Sequence, residues 1–205
     1  MRSFISFLLF VFVFQILTAQ NPFYRRTNVP VLNSGVALKY PWIGGLNNPQ
    51  FSDADLNNDG VQDLVVFDRS GDIVHTFINN GTPNQIDYTY QSRYQTNFPP
   101  VKNWMLLTDL NCDGIADIFC SSGTDGITVY TGQYNANNEL TFTLTNSELT
   151  YLPDNEKIYV AIYDIPAVVD VDDDGDVDIL SFWPAGGYVY YHQNLSIENA
   201  LPCGT

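Results

Sequence analysis

Apolar residues beyond position 45 fall in short runs separated by polar turns. Three acidic loops begin at Asp55, Asp109 and Asp170. Each has one apolar run before it and a second apolar run after it, which reads LVVF, IFCS or ILSF. The preceding runs occupy 49–54, 104–108 and 167–169. After a turn comes a further run rich in β-branched and aromatic residues, at 71–81, 125–132 and 186–194. Runs of this length and composition, bounded by Gly, Asn and Asp, predict strands rather than helices.

The predicted elements recur in three units. The acidic loops begin at Asp55, Asp109 and Asp170, which are 54 and 61 residues apart. In the first two units a further segment alternates between apolar and polar residues, as an outer strand does, at 87–91 and 140–145. Four antiparallel strands in a unit of this length are typical of a β-propeller blade.

We therefore predict an all-β fold of β-propeller blades, each with four antiparallel strands. About three blades fit the chain, and because three blades cannot close a propeller, we expect a fragment of a larger one. The repeats are placed at about 47–98, 99–153 and 154–205, after a lead-in with first strands at 20–46. The alternative is a β-sandwich with decorated hairpins, which gives no reason for one loop to recur at near-constant spacing.

The first 20 residues have the order of a secretory signal peptide. An Arg near the start precedes an apolar run at 4–17 and the small residues Thr18 and Ala19. The run is shorter than the ~20 residues that span a bilayer, and Gln15 interrupts it. We predict a signal peptide at 1–19, export of the mature chain and no membrane span after cleavage.

The net charge of −15 is concentrated in the acidic loops. Of the 23 acidic residues, 12 lie in three nine-residue windows, and six of these are in the third window. Carboxylates packed this closely repel one another unless a cation neutralises them. The same charge disfavours nucleic acid as a partner, because phosphate binding needs clustered Lys and Arg.

Each window has the form D-x-[DN]-x-D-G-x-x-D, numbered here as positions 1 to 9. Positions 1, 3, 5 and 9 offer side-chain oxygens, and position 7 can offer its backbone carbonyl. The candidate ligands are Asp55, Asn57, Asp59, Val61 and Asp63 in loop 1 (55–63), Asp109, Asn111, Asp113, Ile115 and Asp117 in loop 2 (109–117), and Asp170, Asp172, Asp174, Asp176 and Asp178 in loop 3 (170–178). Such oxygen sets favour Ca²⁺, about three ions in all, over Mg²⁺, zinc or copper. Loop 3, with the most aspartates, is expected to bind most tightly.

The flanking residues distinguish these loops from EF-hands. An EF-hand needs a bidentate Glu at position 12 and a helix on each side. Position 12 here holds Val66, Cys120 and Ser181, and the flanks are strand-like. The alternative is that each Asp-Gly pair is an ordinary hairpin turn. Because the same nine-residue pattern occurs in all three loops, we favour the metal interpretation.

The loops resemble FG-GAP/VCBS repeats, the repeats of the integrin α-subunit propellers, over roughly 47–196. The resemblance implies that each blade binds Ca²⁺ at its rim through the ligands named above. The Phe-Gly and Gly-Ala-Pro signatures of the family are poorly matched in this sequence. Pro184-Ala185-Gly186 has the residues of the second signature in a different order. This departure favours an exported bacterial branch of the family, of the Bacteroidetes type. The implied function is that of a secreted or cell-surface module acting in adhesion, with a protein or glycan partner.

We expect no catalysis by this chain. Its two histidines, His75 and His192, lie in predicted strands, and no Ser or Cys stands in a nucleophile motif. The alternative is an accessory or lectin-like domain of a larger exported enzyme. Aromatic residues could contact a partner in either role, although blade packing explains each of them more simply: Trp104, Trp183, Tyr188, Tyr190 and Tyr191.

The three cysteines, Cys112, Cys120 and Cys203, leave at least one thiol without an internal partner. A Cys112–Cys120 bridge is one pairing, but sequence does not establish its geometry. Small, mostly buried side chains are the favoured interpretation, with a partner for Cys203 outside the chain as an option.

Overall fold

The computed structural model of this protein describes residues 29–203, so the predicted signal peptide lies outside the described residues. The chain divides into two compact units, Met1–Ile43 and Gly44–Thr205. The described part of the first unit contains an antiparallel hairpin of β1 (Leu32–Asn33) and β2 (Val36–Ala37). Its two turn residues, Ser34 and Gly35, have φ of 50° and 82°, as tight two-residue hairpin turns require.

The second unit begins with a four-stranded antiparallel sheet. Its strands are β3 (Pro49–Ala54), β4 (Asp63–Asp68), β5 (Ile73–Asn79) and β6 (Tyr88–Tyr90), and they pair in chain order. A 3₁₀ helix at Ser92–Asn97 follows. The strands before and after loop 1 and the predicted outer strand at 87–91 are thereby confirmed.

Two further sheets follow along the chain. The second consists of β7 (Met105–Thr108), β8 (Asp117–Ser121), β9 (Ile127–Tyr134) and β10 (Leu140–Asn146), again paired in chain order. After a short hairpin of β11 (Thr150–Tyr151) and β12 (Glu156–Lys157), the third sheet contains β13 (Ala167–Val169), β14 (Asp178–Phe182) and β15 (Val189–His192). The prediction of an all-β fold is confirmed, with two four-stranded antiparallel sheets.

The second sheet is covered by apolar side chains on both faces. Along β8, Ile118 and Cys120 belong to a buried cluster with Val65 and Phe67 of the first sheet. Between them, Phe119 points the opposite way, because successive strand residues alternate between faces, and it joins Trp104 and Ile179 in a second cluster. One cluster therefore joins the first and second sheets, and the other joins the second and third.

Hydrogen bonds between the sheets fix how the repeats pack. The Met105 amide donates to Gln50 Oε1 at 3.1 Å, and the Leu107 amide donates to Ser52 Oγ at 3.2 Å, so β7 lies beside β3. At the end of the first sheet remote from loop 1, near Gln50, the Arg69 guanidinium donates to the carbonyls of Asn103 and Tyr163 at 2.6 and 2.9 Å. The first sheet is thus held to the segments that precede the second and third sheets.

The cysteine pairing differs from both options drawn from the sequence. Cys112, at position 4 of loop 2, forms a disulfide with Cys203, and their Cα atoms lie 5.8 Å apart, within the usual range. Cys120 is the free cysteine and is buried in β8. The Cys112–Cys120 bridge that the sequence allowed does not form, because Cys112 is exposed on loop 2 and Cys120 is buried in β8, whereas the expectation of a small buried side chain holds for Cys120. Burial raises the pKa of the Cys120 thiol to about 12, so it remains protonated at neutral pH.

We predict one free thiol per chain. Labelling with a thiol-reactive probe without reductant should find no reactive thiol in the native protein, one in denaturant and three after reduction. Cys120→Ser should abolish the single signal in denaturant, whereas Cys112→Ser should expose a second. Labelling of all three cysteines in the denatured, unreduced wild-type chain would contradict the assigned disulfide.

Candidate metal centre

The three acidic loops occupy the same place in the three sheets. Each joins the first and second strands, and its position-9 aspartate starts the second strand. In the ladders Asp63 pairs with Ala54, Asp117 with Thr108, and Asp178 with Val169. In each sheet, position 9 therefore pairs with the residue just before position 1, so the two ends of the loop lie close to each other.

The position-9 carboxylates are buried and hold the loops by backbone hydrogen bonds. In loop 1, Asp63 Oδ2 accepts from the Leu56 amide at 2.9 Å, and Oδ1 accepts from the Asn79 amide at 2.7 Å. Asp117 makes the equivalent bonds to the amides of Leu110 and Gly132, and Asp178 to those of Val171 and Asn194, all between 2.8 and 3.0 Å. Each carboxylate thus connects the start of its loop to the third strand of its sheet or the residues just after it.

Burial also makes two of these carboxylates, Asp63 and Asp117, costly to ionise. Desolvation raises the pKa of Asp63 and of Asp117 above the ordinary 3.8, against the lowering effect of the two backbone hydrogen bonds that each accepts. Neighbouring aspartates of the same loop raise the pKa further. Because a raised pKa means that the charged form is disfavoured, a cation beside either group would relieve an existing cost.

Position 1 organises the turn itself. Asp55 Oδ1 accepts from the Asp59 amide at 3.1 Å and Oδ2 accepts from the Gly60 amide at 2.7 Å. The same pair of bonds recurs at Asp109 and at Asp170, at 2.8 to 3.2 Å. The position-6 glycines have φ between 82° and 104°, a left-handed conformation that Gly adopts without strain: Gly60, Gly114 and Gly175.

Position 3 is where loop 3 departs from the other two. In loops 1 and 2 an asparagine amide donates to the position-5 carboxylate, from Asn57 to Asp59 at 2.8 Å and from Asn111 to Asp113 at 3.1 Å. Loop 3 has Asp172 there, which has no donor to offer. The position-5 oxygen Asp174 Oδ2 is buried and has no hydrogen-bond partner in the described part of the chain.

In loop 3 the structure brings candidate carboxylate ligands close together. Among the described residues, two groups of three acidic side chains have ligand atoms within 4.8 Å of one another. The first contains Asp170, Asp172 and Asp174, all predicted from the loop pattern. The second contains Asp174, Asp176 and Glu198. Either group could hold a metal ion, since carboxylate oxygens are the ligands that hard cations prefer.

Position 7 was predicted to offer only its backbone carbonyl. The amides of Val61 and Ile115 donate to the position-5 carboxylates at 2.9 and 2.8 Å. Asp176 has the same amide bond, at 3.1 Å, but its side chain also belongs to the second acidic group. Burial, more than the nearby aspartates, raises the pKa of Asp176 above 3.8, opposed by a hydrogen bond from the Ile197 amide.

Two residues near loop 3 were missed by sequence reasoning. Glu198 lies twenty residues beyond Asp178, outside any repeated pattern, so no sequence signal identifies it. The Gln193 side-chain amide donates to Asp172 Oδ2 at 2.6 Å and to Glu198 Oε1 at 2.7 Å. Both residues reach the loop because the chain turns back after β15, a path that a repeat-based analysis cannot supply.

The aromatic candidates divide into buried and exposed groups. Trp104 is fully buried in the core, as the packing interpretation predicted. Tyr188 and Tyr190 are exposed on β15 or next to it, and Trp183 stacks on Tyr188 with ring centroids 4.8 Å apart. The Tyr191 hydroxyl donates to Asp178 Oδ2 at 3.2 Å, and desolvation together with that bond raises its pKa to about 12.

No protein-family model matches this chain, and no curated protein matches its sequence. In the described part of the chain, no helix has the length and apolar character needed to cross a membrane.

We predict that the position-9 carboxylate stabilises the fold even without metal. Asp63→Ala, measured by urea unfolding in EDTA, should lower the free energy of unfolding by about 2 kcal/mol, because it leaves two backbone amides without their acceptor. The control is Asp53→Ala, which removes an exposed aspartate from the neighbouring strand and should change stability by less than about 0.5 kcal/mol. Equal effects of the two substitutions would contradict this role.

Proposed function

We propose that this chain is a secreted or cell-surface Ca²⁺-binding repeat module of the FG-GAP/VCBS kind, acting in adhesion or in protein or glycan interaction without catalysis. The observation that carries the proposal is the recurrence of one loop in all three sheets, with the same backbone amides donating to the carboxylates at positions 1 and 9. A hairpin turn alone does not need four recurring positions with side-chain oxygens, whereas a cation site does.

Ca²⁺ is the ion that the loops suit best. All side-chain ligands are carboxylate or amide oxygens, and the spacing 1, 3, 5, 7 and 9 offers the high coordination number that Ca²⁺ takes. Loop 3 adds the close acidic group of Asp170, Asp172 and Asp174. One ion for each loop gives about three ions, which replace repulsion among the carboxylates with coordination.

The sheets are proposed to be consecutive blades of a β-propeller. Support comes from their pairing in chain order, from the loop at one fixed end of each sheet, and from the cores that join each sheet to the next. Contacts between loop 1 and the second sheet agree with this arrangement: the Leu140 amide donates to the Leu56 carbonyl at 3.1 Å. A sandwich would instead bury one shared core between two sheets.

Export is supported by the disulfide. Disulfides persist in oxidising compartments and are rare in the cytosol, so the Cys112–Cys203 bond favours the exported destination that the predicted signal peptide specifies. An exported chain also meets millimolar Ca²⁺ outside cells, where sites of modest affinity are filled.

A lectin-like or accessory role is the second candidate. The exposed stack of Trp183 on Tyr188, with Tyr190 beside it at 5.7 Å between ring centroids, offers aromatic faces of the kind that bind sugar rings. A glycan array probed with the full chain in Ca²⁺ separates this candidate from a protein-binding role. Binding that Trp183→Ala abolishes would favour the lectin.

We predict that Ca²⁺ raises the thermal midpoint of the mature chain. Each filled site stabilises the folded state by about 2.7 kcal/mol at a hundredfold excess over its dissociation constant. Calorimetry in 2 mM Ca²⁺ (roughly the extracellular range) should therefore give a higher midpoint than calorimetry in EDTA, and Mg²⁺ a smaller rise. A cooperative transition with the same midpoint in both would overturn the proposal.

The three loops should differ in affinity, with loop 3 the tightest. Isothermal titration of Asp55→Asn, Asp109→Asn and Asp170→Asn, each of which neutralises position 1 of one loop, should remove the tightest component only in the Asp170 variant. Asp53→Asn is the control of equal charge change outside the loops. Loss of the tightest component in the loop 1 or loop 2 variant would contradict this order.

A further inference from the structure

We propose that loop 3 binds a second cation, held by the side chains of Asp174, Asp176 and Glu198, in addition to the ion of the repeated loop pattern. This site would make four ions rather than three. It rests on the proposed Ca²⁺ binding by loop 3, because Asp174 belongs to both acidic groups and would bridge the two ions.

The distances suit a large hard cation. Ligand atoms of the three carboxylates lie within 4.8 Å of one another. Two oxygens on opposite sides of a Ca²⁺ ion are at most about 5.2 Å apart, since its bonds are 2.3–2.6 Å long. Separations of this size allow the three carboxylates to bind one Ca²⁺ ion together.

The state of Asp176 is the independent observation that points to a ligand. Its side chain is only 1% exposed. One oxygen, Oδ2, accepts from the Ile197 amide at 3.2 Å, but Oδ1 is buried and has no partner among the described residues. A buried carboxylate oxygen without a donor is costly, and coordination to a cation would remove that cost.

No basic side chain takes that role in the described part of the chain. The ion pairs there join Arg93 to Glu139 and Lys157 to Glu148, in other sheets and hairpins. The side chains that donate to these carboxylates are neutral: the Gln193 amide links Asp172 to Glu198, and the Tyr191 hydroxyl lies 3.4 Å from Asp172 Oδ2. Five acidic side chains thus converge without a basic partner among the described residues.

Only loop 3 can form such a site. Position 7 is Val61 in loop 1 and Ile115 in loop 2, so neither has a carboxylate where Asp176 stands. Glu198 reaches loop 3 from a C-terminal segment that the Cys112–Cys203 disulfide ties to loop 2. The second site is therefore a property of this chain's own tertiary structure rather than of the repeat.

The test counts bound ions on the full mature chain by native mass spectrometry and by equilibrium dialysis with radioactive Ca²⁺. Wild-type protein should bind four ions, and Glu198→Gln and Asp176→Asn should each bind three. Asn at 176 keeps an acceptor for the Ile197 amide, and Glu198 is exposed, so both variants are expected to fold. Glu156→Gln, an exposed glutamate on β12, is the control and should retain four.

The outcomes separate this inference from the proposed function. Three ions in the wild type and three in both variants would overturn the second site, favour a shared proton among the three acids, and leave the proposed function standing. Four ions in wild type and in both variants would also overturn it, since the extra ion would then lie elsewhere. No bound ions at all would overturn both.

Discussion

The fold of each repeat depends on one buried carboxylate that accepts two backbone hydrogen bonds. The two carboxylate oxygens accept from the amide of the second loop residue and from a backbone amide in or just after the third strand, at Asp63, Asp117 and Asp178. Backbone amides that are not paired within a ladder must find another acceptor when buried. The aspartate supplies it, and in doing so fixes where the loop leaves the sheet and where the third strand lies.

This arrangement places negative charge where it is expensive. Burial raises the pKa of Asp63 and Asp117, and the remaining aspartates of each loop add repulsion. Loops 1 and 2 moderate the effect with an asparagine that donates to the position-5 carboxylate. Loop 3 has Asp172 in place of that asparagine, and buried oxygens of Asp174 and Asp176 have no hydrogen-bond partner among the described residues. Dependence on a cation is therefore expected to increase from the first two repeats to the third.

The C-terminal segment links the repeats at their acidic ends. Cys203 bonds to Cys112 in loop 2, while the Ile197 amide and Glu198 approach the acids of loop 3. Cys112 itself has φ of 58°, a left-handed conformation shared by the position-4 residues Asn58 and Asp173. The loop geometry thus presents the Cys112 side chain outward, where a distant cysteine can meet it.

The sequence by itself determined the strands, their order and the loops between them, because alternation, turn residues and the nine-residue acidic pattern are all local. The bounds of β3, β7 and β13 lie within one residue of the runs at 49–54, 104–108 and 167–169. Tertiary structure alone decided the Cys112–Cys203 pairing and the approach of Gln193 and Glu198 to loop 3. These contacts join residues 21 to 91 positions apart, and local signals that repeat along the chain do not specify which distant segment returns to which loop.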